Sequence, residues 1–243
     1  MKKNSALSAL LGSTLIAMTA MAAPGIDEVG DPDSFGNNVI YLGIAQTPGI
    51  SLLDDCTPDP TYPPDPESRC ITLKPQPLTT TFDEGKLDYI KLPGGSTKTL
   101  ICFAVTPSMN FQFNNLTGTD QPSARFVARP VITIESDVLN DPALTDPSTG
   151  LPLSGRIVLP LSTYSESRSL EKGERAQKQM FLSRSCIGGL VSRRSLIDNY
   201  GLSDSQADTF FGKEITLIFG ASGSAQLVDY ATYFYGIRLY GDR

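Results

Sequence analysis

The chain has 243 residues, 40 % of them hydrophobic and 19 % charged, and it contains no histidine. That apolar content suffices for one substantial core and excludes disorder throughout, while the missing imidazole excludes Ser-His-Asp and Cys-His nucleophile systems and every zinc site that needs histidine. With 20 basic against 26 acidic residues the formal charge is −6, a poor match for the phosphate backbone of nucleic acid.

Met1-Lys2-Lys3 leads into an apolar run from Ala6 to Met18 and then into the small residues Ala20-Met21-Ala22. A charged start, an apolar middle and a small-residue end are the three parts of a secretory signal peptide, here residues 1–22. Cleavage is expected after Ala22, since a cut one residue later would leave Pro24 at the new terminus, where its fixed geometry fits an extended cleavage site poorly. The run is about 13 residues, short of the ~20 a membrane-spanning helix needs, and no later stretch is longer or less interrupted. The expected product is an exported protein of the periplasm, outer surface or extracellular space with no transmembrane segment.

From Ala23 to about Gly85 the chain is rich in Pro, Asp and Thr, with short apolar runs at 38–45 and 49–53. Its opening stretch, GDPDSFGNN (30–38), places Asp31, Asp33 and Gly36 as in a calcium loop, but Phe35 and Leu42 fall on the fifth and twelfth positions and spoil an EF-hand. An irregular calcium site could combine Asp27, Asp31, Asp33 and Asn37, because calcium accepts loosely arranged oxygen ligands. The preferred reading is an Asp-Pro turn whose carboxylates accept from nearby backbone amides.

Four cysteines in an oxidising compartment read as two disulfides. Of three possible pairings, Cys56 with Cys70 staples the proline-rich loop between them, which leaves Cys102 with Cys186, both in apolar or strand-like surroundings. Zinc is disfavoured, since there is no C-x-x-C.

Strand signals recur downstream: KLDYIKL (86–92), TLICFAV (99–105), FQF (111–113), RFVARPVITIE (125–135), GRIVLPL (155–161), EITLIFG (214–220) and YFYGIRLY (233–240). Their β-branched and aromatic density favours sheet. Pro130 and Pro160 cannot donate to a ladder, so each is expected on an edge strand or at a bulge. The segment 139–155 reads as a surface loop, and GASGS (220–224), which is not a G-x-S-x-G elbow, reads as a strand-to-strand turn. Helix is expected only near 192–212: a short turn from Ser192, then a helix opened by a Ser203/Gln206 capping box and ended by Gly212. The pattern predicts an all-β chain, an antiparallel β-sandwich or jelly-roll-like domain over 23–243 whose N-terminal portion to about residue 85 is acidic and proline-rich.

GDPDSFGNNVIYLG after the signal peptide, LNDPALTDPSTGLP, SCIGGLVSRR and SGSAQLVDYATYFYGIRLYGD resemble an uncharacterised family of proteins exported by Gram-negative bacteria. The resemblance implies export and carries no activity or site residues.

A hydrolase working with two carboxylates needs no histidine, and Glu135, Asp137, Glu166 and Asp229 are the candidates. The charges are also unevenly distributed. Residues 24–68 hold nine acidic residues and no Lys or Arg, whereas Arg168, Lys172, Arg175, Lys178, Arg184, Arg193 and Arg194 crowd one later stretch. Acidic and basic regions could join copies head to tail, although the bland reading, pairing within one chain or plain solvation, is preferred. Of the late tyrosines, which could stack on a sugar if exposed, Tyr233 and Tyr235 alternate with Ile237 and Leu239 and are expected in the core. The expectation is therefore a non-enzymatic structural or binding protein whose partner is protein, a second copy included, or extracellular glycan, and whose one candidate cofactor is calcium. The runner-up is a carboxylate-dependent polysaccharide hydrolase.

Overall fold

A computed structural model describes residues 39–58, 61, 68–182, 184–185 and 190–242. The signal peptide, the candidate calcium residues Asp27, Asp31, Asp33 and Asn37, and Cys186 lie outside the described residues.

The chain is mostly β, with two packed sheets and two short helices. The first sheet is centred on β5 (Thr99–Asn114) and β13 (Val228–Asp242), which pair antiparallel along almost their whole lengths. Outside β13 lie β1 (Val39–Gln46) and β2 (Ile50–Leu53), and beyond β2 comes β3 (Arg69–Thr72). Outside β5 lie β9 (Arg175–Phe181), β10 (Arg184–Ser185) and β11 (Val191–Ser192). The second sheet runs β4 (Thr80–Leu92), β12 (Ile215–Gln226), β6 (Gln121–Glu135), with β7 (Arg156–Pro160) and β8 (Tyr164–Leu170) sharing the far side of β6. The β2–β3 pair is parallel, a departure from the all-antiparallel expectation.

Period-2 alternation supplies the core. Met109, Phe111 and Phe113 of β5 and Ala231, Tyr233, Tyr235, Ile237 and Leu239 of β13 face Phe126, Ile132 and Ile134 of β6 and Leu217 and Phe219 of β12. Phe111 stacks on Phe126 from the opposite sheet at 4.6 Å between centroids. Each such ring contributes about 1.5–3 kcal/mol by leaving water. Tyr233 and Tyr235 are core residues, as their alternation predicts. The Tyr235 hydroxyl donates across the sandwich to the Gly220 carbonyl at 2.9 Å, which satisfies a polar group that burial would otherwise penalise.

The helices match expectation: α1 (Arg193–Asp198) starts at Ser192, and α2 (Asp204–Gly212) carries the Ser203/Gln206 capping box. Four expectations are corrected. GASGS is not a turn but the middle of β12, paired on both sides. Its glycines are close-approach positions: a Cβ on Gly223 would collide with the Phe82 ring and the Val127 carbonyl, and one on Gly220 would lie 2.6 Å from the Glu84 carbonyl. The chain turns instead at Leu227, in the left-handed region at φ 55°. Pro130 is on a central strand without a bulge at its position. It fits because it falls where β7 ends and β8 has not begun, with only its carbonyl engaged, by the Leu161 amide. Pro160, on the outer strand β7, is where proline is expected. TLICFAV and FQF, expected as separate strands, are one, since β5 runs from Thr99 to Asn114 through Pro107. The segment 139–155 buries Leu139, Leu144 and Leu153, so it caps the core and is not a free surface loop.

Candidate functional site

Cys56 and Cys70 form a disulfide with their Cα atoms 5.7 Å apart, joining β3 to the loop after β2. The Cys102–Cys186 pairing lies outside the described residues. Of the seven cations in the basic stretch, four are paired within the chain. Arg168 meets Glu174 at 2.6 Å, Lys178 meets Glu166 at 2.6 Å, Arg194 meets Asp198 at 3.3 Å, and Arg193 spans Asp204 and Asp208, each at 2.7 Å. Glu174 and Asp198 lie close to their cations in sequence, while the fold brings Glu166, Asp204 and Asp208 to theirs, so the basic stretch is largely neutralised within the chain. Lys172 and Arg175 make no side-chain ion pair among the described residues. The Asp208 carboxyl is held below its ordinary range by the Arg193 guanidinium.

Lys178 has a structural part. It sits on β9 of the first sheet, and its ammonium reaches Glu166 on β8 of the second, which also accepts from the Tyr164 hydroxyl at 3.1 Å. The Lys178 hydrogen bond, with a smaller contribution from Tyr164, holds the Glu166 carboxyl below its usual range against partial burial. Burial, then the bond to Glu166, pushes the Tyr164 hydroxyl up. The three residues clasp the side of the sandwich where the β8–β9 connection passes from one sheet to the other.

The four candidate catalytic carboxylates do not converge. Glu166 is held in the clasp, and Asp229, at the start of β13, accepts from Gln112 at 3.4 Å. Glu135 and Asp137 do share one cleft of about 490 Å³, together with Glu214, Lys213, Ser136 and Asn140. It opens where β6 gives way to a 3-10 turn at Asp137–Asn140 and where α2 enters β12. Glu214, missed in the sequence, arrives there because β12 and β6 are registered Thr216 to Glu135. Glu214 is itself paired with Lys91 at 3.3 Å. Among the described residues no group of three or more acidic or cysteine side chains is placed to hold a metal ion.

The outer face of the first sheet carries a different surface, also missed in the sequence. Phe181 of β9, Ser108 of β5 and Phe234 of β13 lie in one cross-strand row. Phe181 is 72 % exposed and Phe234 36 %, with Ser108 sheltered between them. The next row is Gln179, Asn110, Thr232 and Ser51, and the one after it is Gln177, Gln112 and Tyr230. No Lys, Arg or Glu stands in these three rows. No signal in β9 alone could have revealed this, because RAQKQMF is a polar segment and only its pairing with β5 brings Phe181 level with Phe234.

Compared with known proteins, the chain matches no family model and no curated sequence.

Proposed function

We propose that this chain is an exported, non-enzymatic binding protein of the periplasm or outer surface, and that it works through the outer face of its first sheet. The observation carrying this reading is the cross-strand row in which Phe181 and Phe234 stand exposed beside amide and hydroxyl side chains. Apolar rings left in water over a rigid sheet are a standing source of binding free energy, about 25 cal/mol per Å² covered. The signal-peptide pattern and the resemblance to exported Gram-negative proteins support the location.

The test has two parts. Cell fractionation and intact mass should find the protein outside the cytoplasm and shortened by residues 1–22. Labelled mature protein should then bind isolated cell-envelope material, and the double variant Phe181→Ala/Phe234→Ala should lose that binding while keeping its circular dichroism spectrum. Undiminished binding by the variant would sink the reading.

A second reading, a carboxylate-dependent polysaccharide hydrolase, is favoured by the shared cleft of Glu135 and Asp137, since glycosidases need two carboxyl groups flanking one bond. It requires new reducing ends from a polysaccharide, abolished in Glu135→Gln; their absence across a broad panel would remove it.

A further inference from the structure

We infer that the partner of this face is an uncharged linear polysaccharide lying across the strands, with Phe181 and Phe234 stacked against its sugar rings and the amides of Gln179, Asn110 and Gln112 bonded to its hydroxyls. This deepens the binding-protein reading and rests on it.

Charge is the first reason. In a chain with 19 % charged residues, the three rows hold none; Asp229 and Arg175 stand at one margin beside Gln112 and Asn114, and the exposed Arg238 stands at the other, two positions past Gly236 on β13. Within these rows an anionic polymer would find no counter-charge, and a charged protein partner no ion pair to set its register. A neutral polyol has no such requirement.

Donor and acceptor chemistry is the second. A carboxamide offers both a donor and an acceptor, as a sugar hydroxyl does. The amides are scarcely engaged with each other. Gln177 reaches Asn110 at 3.5 Å and Gln112 reaches Asp229 at 3.4 Å, both beyond the usual 2.7–3.2 Å range quoted for N–H···O bonds. Gln179 makes no side-chain hydrogen bond among the described residues. These groups are therefore free to trade water for ligand hydroxyls.

Shape is the third. Phe234 rises from a floor of small residues, with Ser108 beside it, Gly236 two positions along on the same face, and Gly49 near the start of β2. A Cβ on Gly49 would meet nothing within 4 Å, so this flank of the ring is open. Phe181 and Phe234 are two strand spacings apart, about 9.5 Å, which is the order of two pyranose rings in an extended chain. A phenyl ring has no polar tip, so its contact with a sugar is through the apolar ring itself.

Native affinity electrophoresis of the mature protein tests this, with hydroxyethylcellulose, galactomannan and dextran as neutral polymers and alginate as the anionic control. At least one neutral polymer should retard the protein and alginate should not. Phe181→Ala/Phe234→Ala should weaken retardation at least tenfold and Gln179→Ala several-fold, with unchanged thermal midpoints. Stronger retardation by alginate, no retardation by any neutral polymer, or retardation indifferent to these variants would each overturn the inference. Light scattering on the same samples separates the two levels of failure. If polymer binding is absent but the protein forms a dimer that Phe181→Ala/Phe234→Ala disperses, the glycan assignment falls and the binding face stands. If the variant also binds envelope material undiminished, both fall.

Discussion

The two outer faces of the sandwich are made by the same alternation and carry opposite chemistry. On the second sheet, one cross-strand row reads Lys91, Thr216, Glu135, Arg156, and further along Arg129 follows Ser222. Its exposed aromatic, Tyr89, has the Lys86 ammonium 5.1 Å above its ring, and Arg129 is occupied with the Thr163 hydroxyl at 2.9 Å. Mixed, locally satisfied charge of this kind keeps a protein dissolved and offers a partner little. The first sheet has uncharged amides in those rows and two phenylalanines with no cation over them among the described residues. Charge runs across the second face but is absent from three successive rows of the first, between Arg175 and Arg238, and those rows are where a contact gains most from excluding water.

The sharpest way to break this comparison is to test the alternation beneath it. Phe111 points inward and its neighbours Asn110 and Gln112 outward, so Phe111→Ala should cost about 3–5 kcal/mol in denaturant unfolding, whereas Asn110→Ala or Gln112→Ala should stay within about 0.5 kcal/mol. Equal costs would mean that the faces are misassigned. Next in size is the Cys56–Cys70 bridge at the margin of the first sheet. It closes a loop with a sequence separation of 14, and Cys56→Ser/Cys70→Ser should lose about 3 kcal/mol of stability, visible as a lower thermal midpoint. The faces themselves come third. Phe181→Ala/Phe234→Ala should lose binding at least tenfold, about 1.4 kcal/mol, while Tyr89→Ala/Val158→Ala on the second sheet leaves it unchanged.

The smallest effect concerns the clasp that holds the sheets at the β8–β9 side. The Glu166 carboxyl is held below its ordinary value by Lys178. Its contribution is therefore present at neutral pH and lost as the pH falls through its folded-state value. Lys178→Met should destabilise by about 0.5 kcal/mol at pH 7, as loss of an ion pair still open to solvent does. That gap from the wild type should close in acid, as urea midpoints taken across the pH range would show.

Where a local rule and its physical cause lay in the same few residues, the sequence was readable. The capping box at Ser203 and Gln206 is one such case, since the donors it satisfies belong to the same turn. Tyr233 and Tyr235 are another, because their alternation with Ile237 and Leu239 assigns them to one side of a strand whatever the strand meets. GASGS misled because glycine serves two ends, turning a chain and letting other groups approach it. Only the presence of Phe82 and the Glu84 carbonyl against β12 decides for the second. Pro130 misled for a related reason: whether a missing N–H matters depends on whether a partner strand stands opposite, and here two short strands leave a gap at that position.

The sequence by itself determined the class of fold, the two helices and the chemistries that are closed, because alternation, capping and the absence of histidine are properties of the chain read along its length. It also contained two of the carboxylates that neutralise the basic stretch close to their cations, Glu174 for Arg168 and Asp198 for Arg194. Tertiary structure alone decided which side chains share a surface. Phe181 and Phe234 are 53 positions apart in the chain and belong to strands on either side of β5, so their row exists only through register. Register depends on how both partners bury their inner faces against the opposite sheet, which neither segment encodes alone.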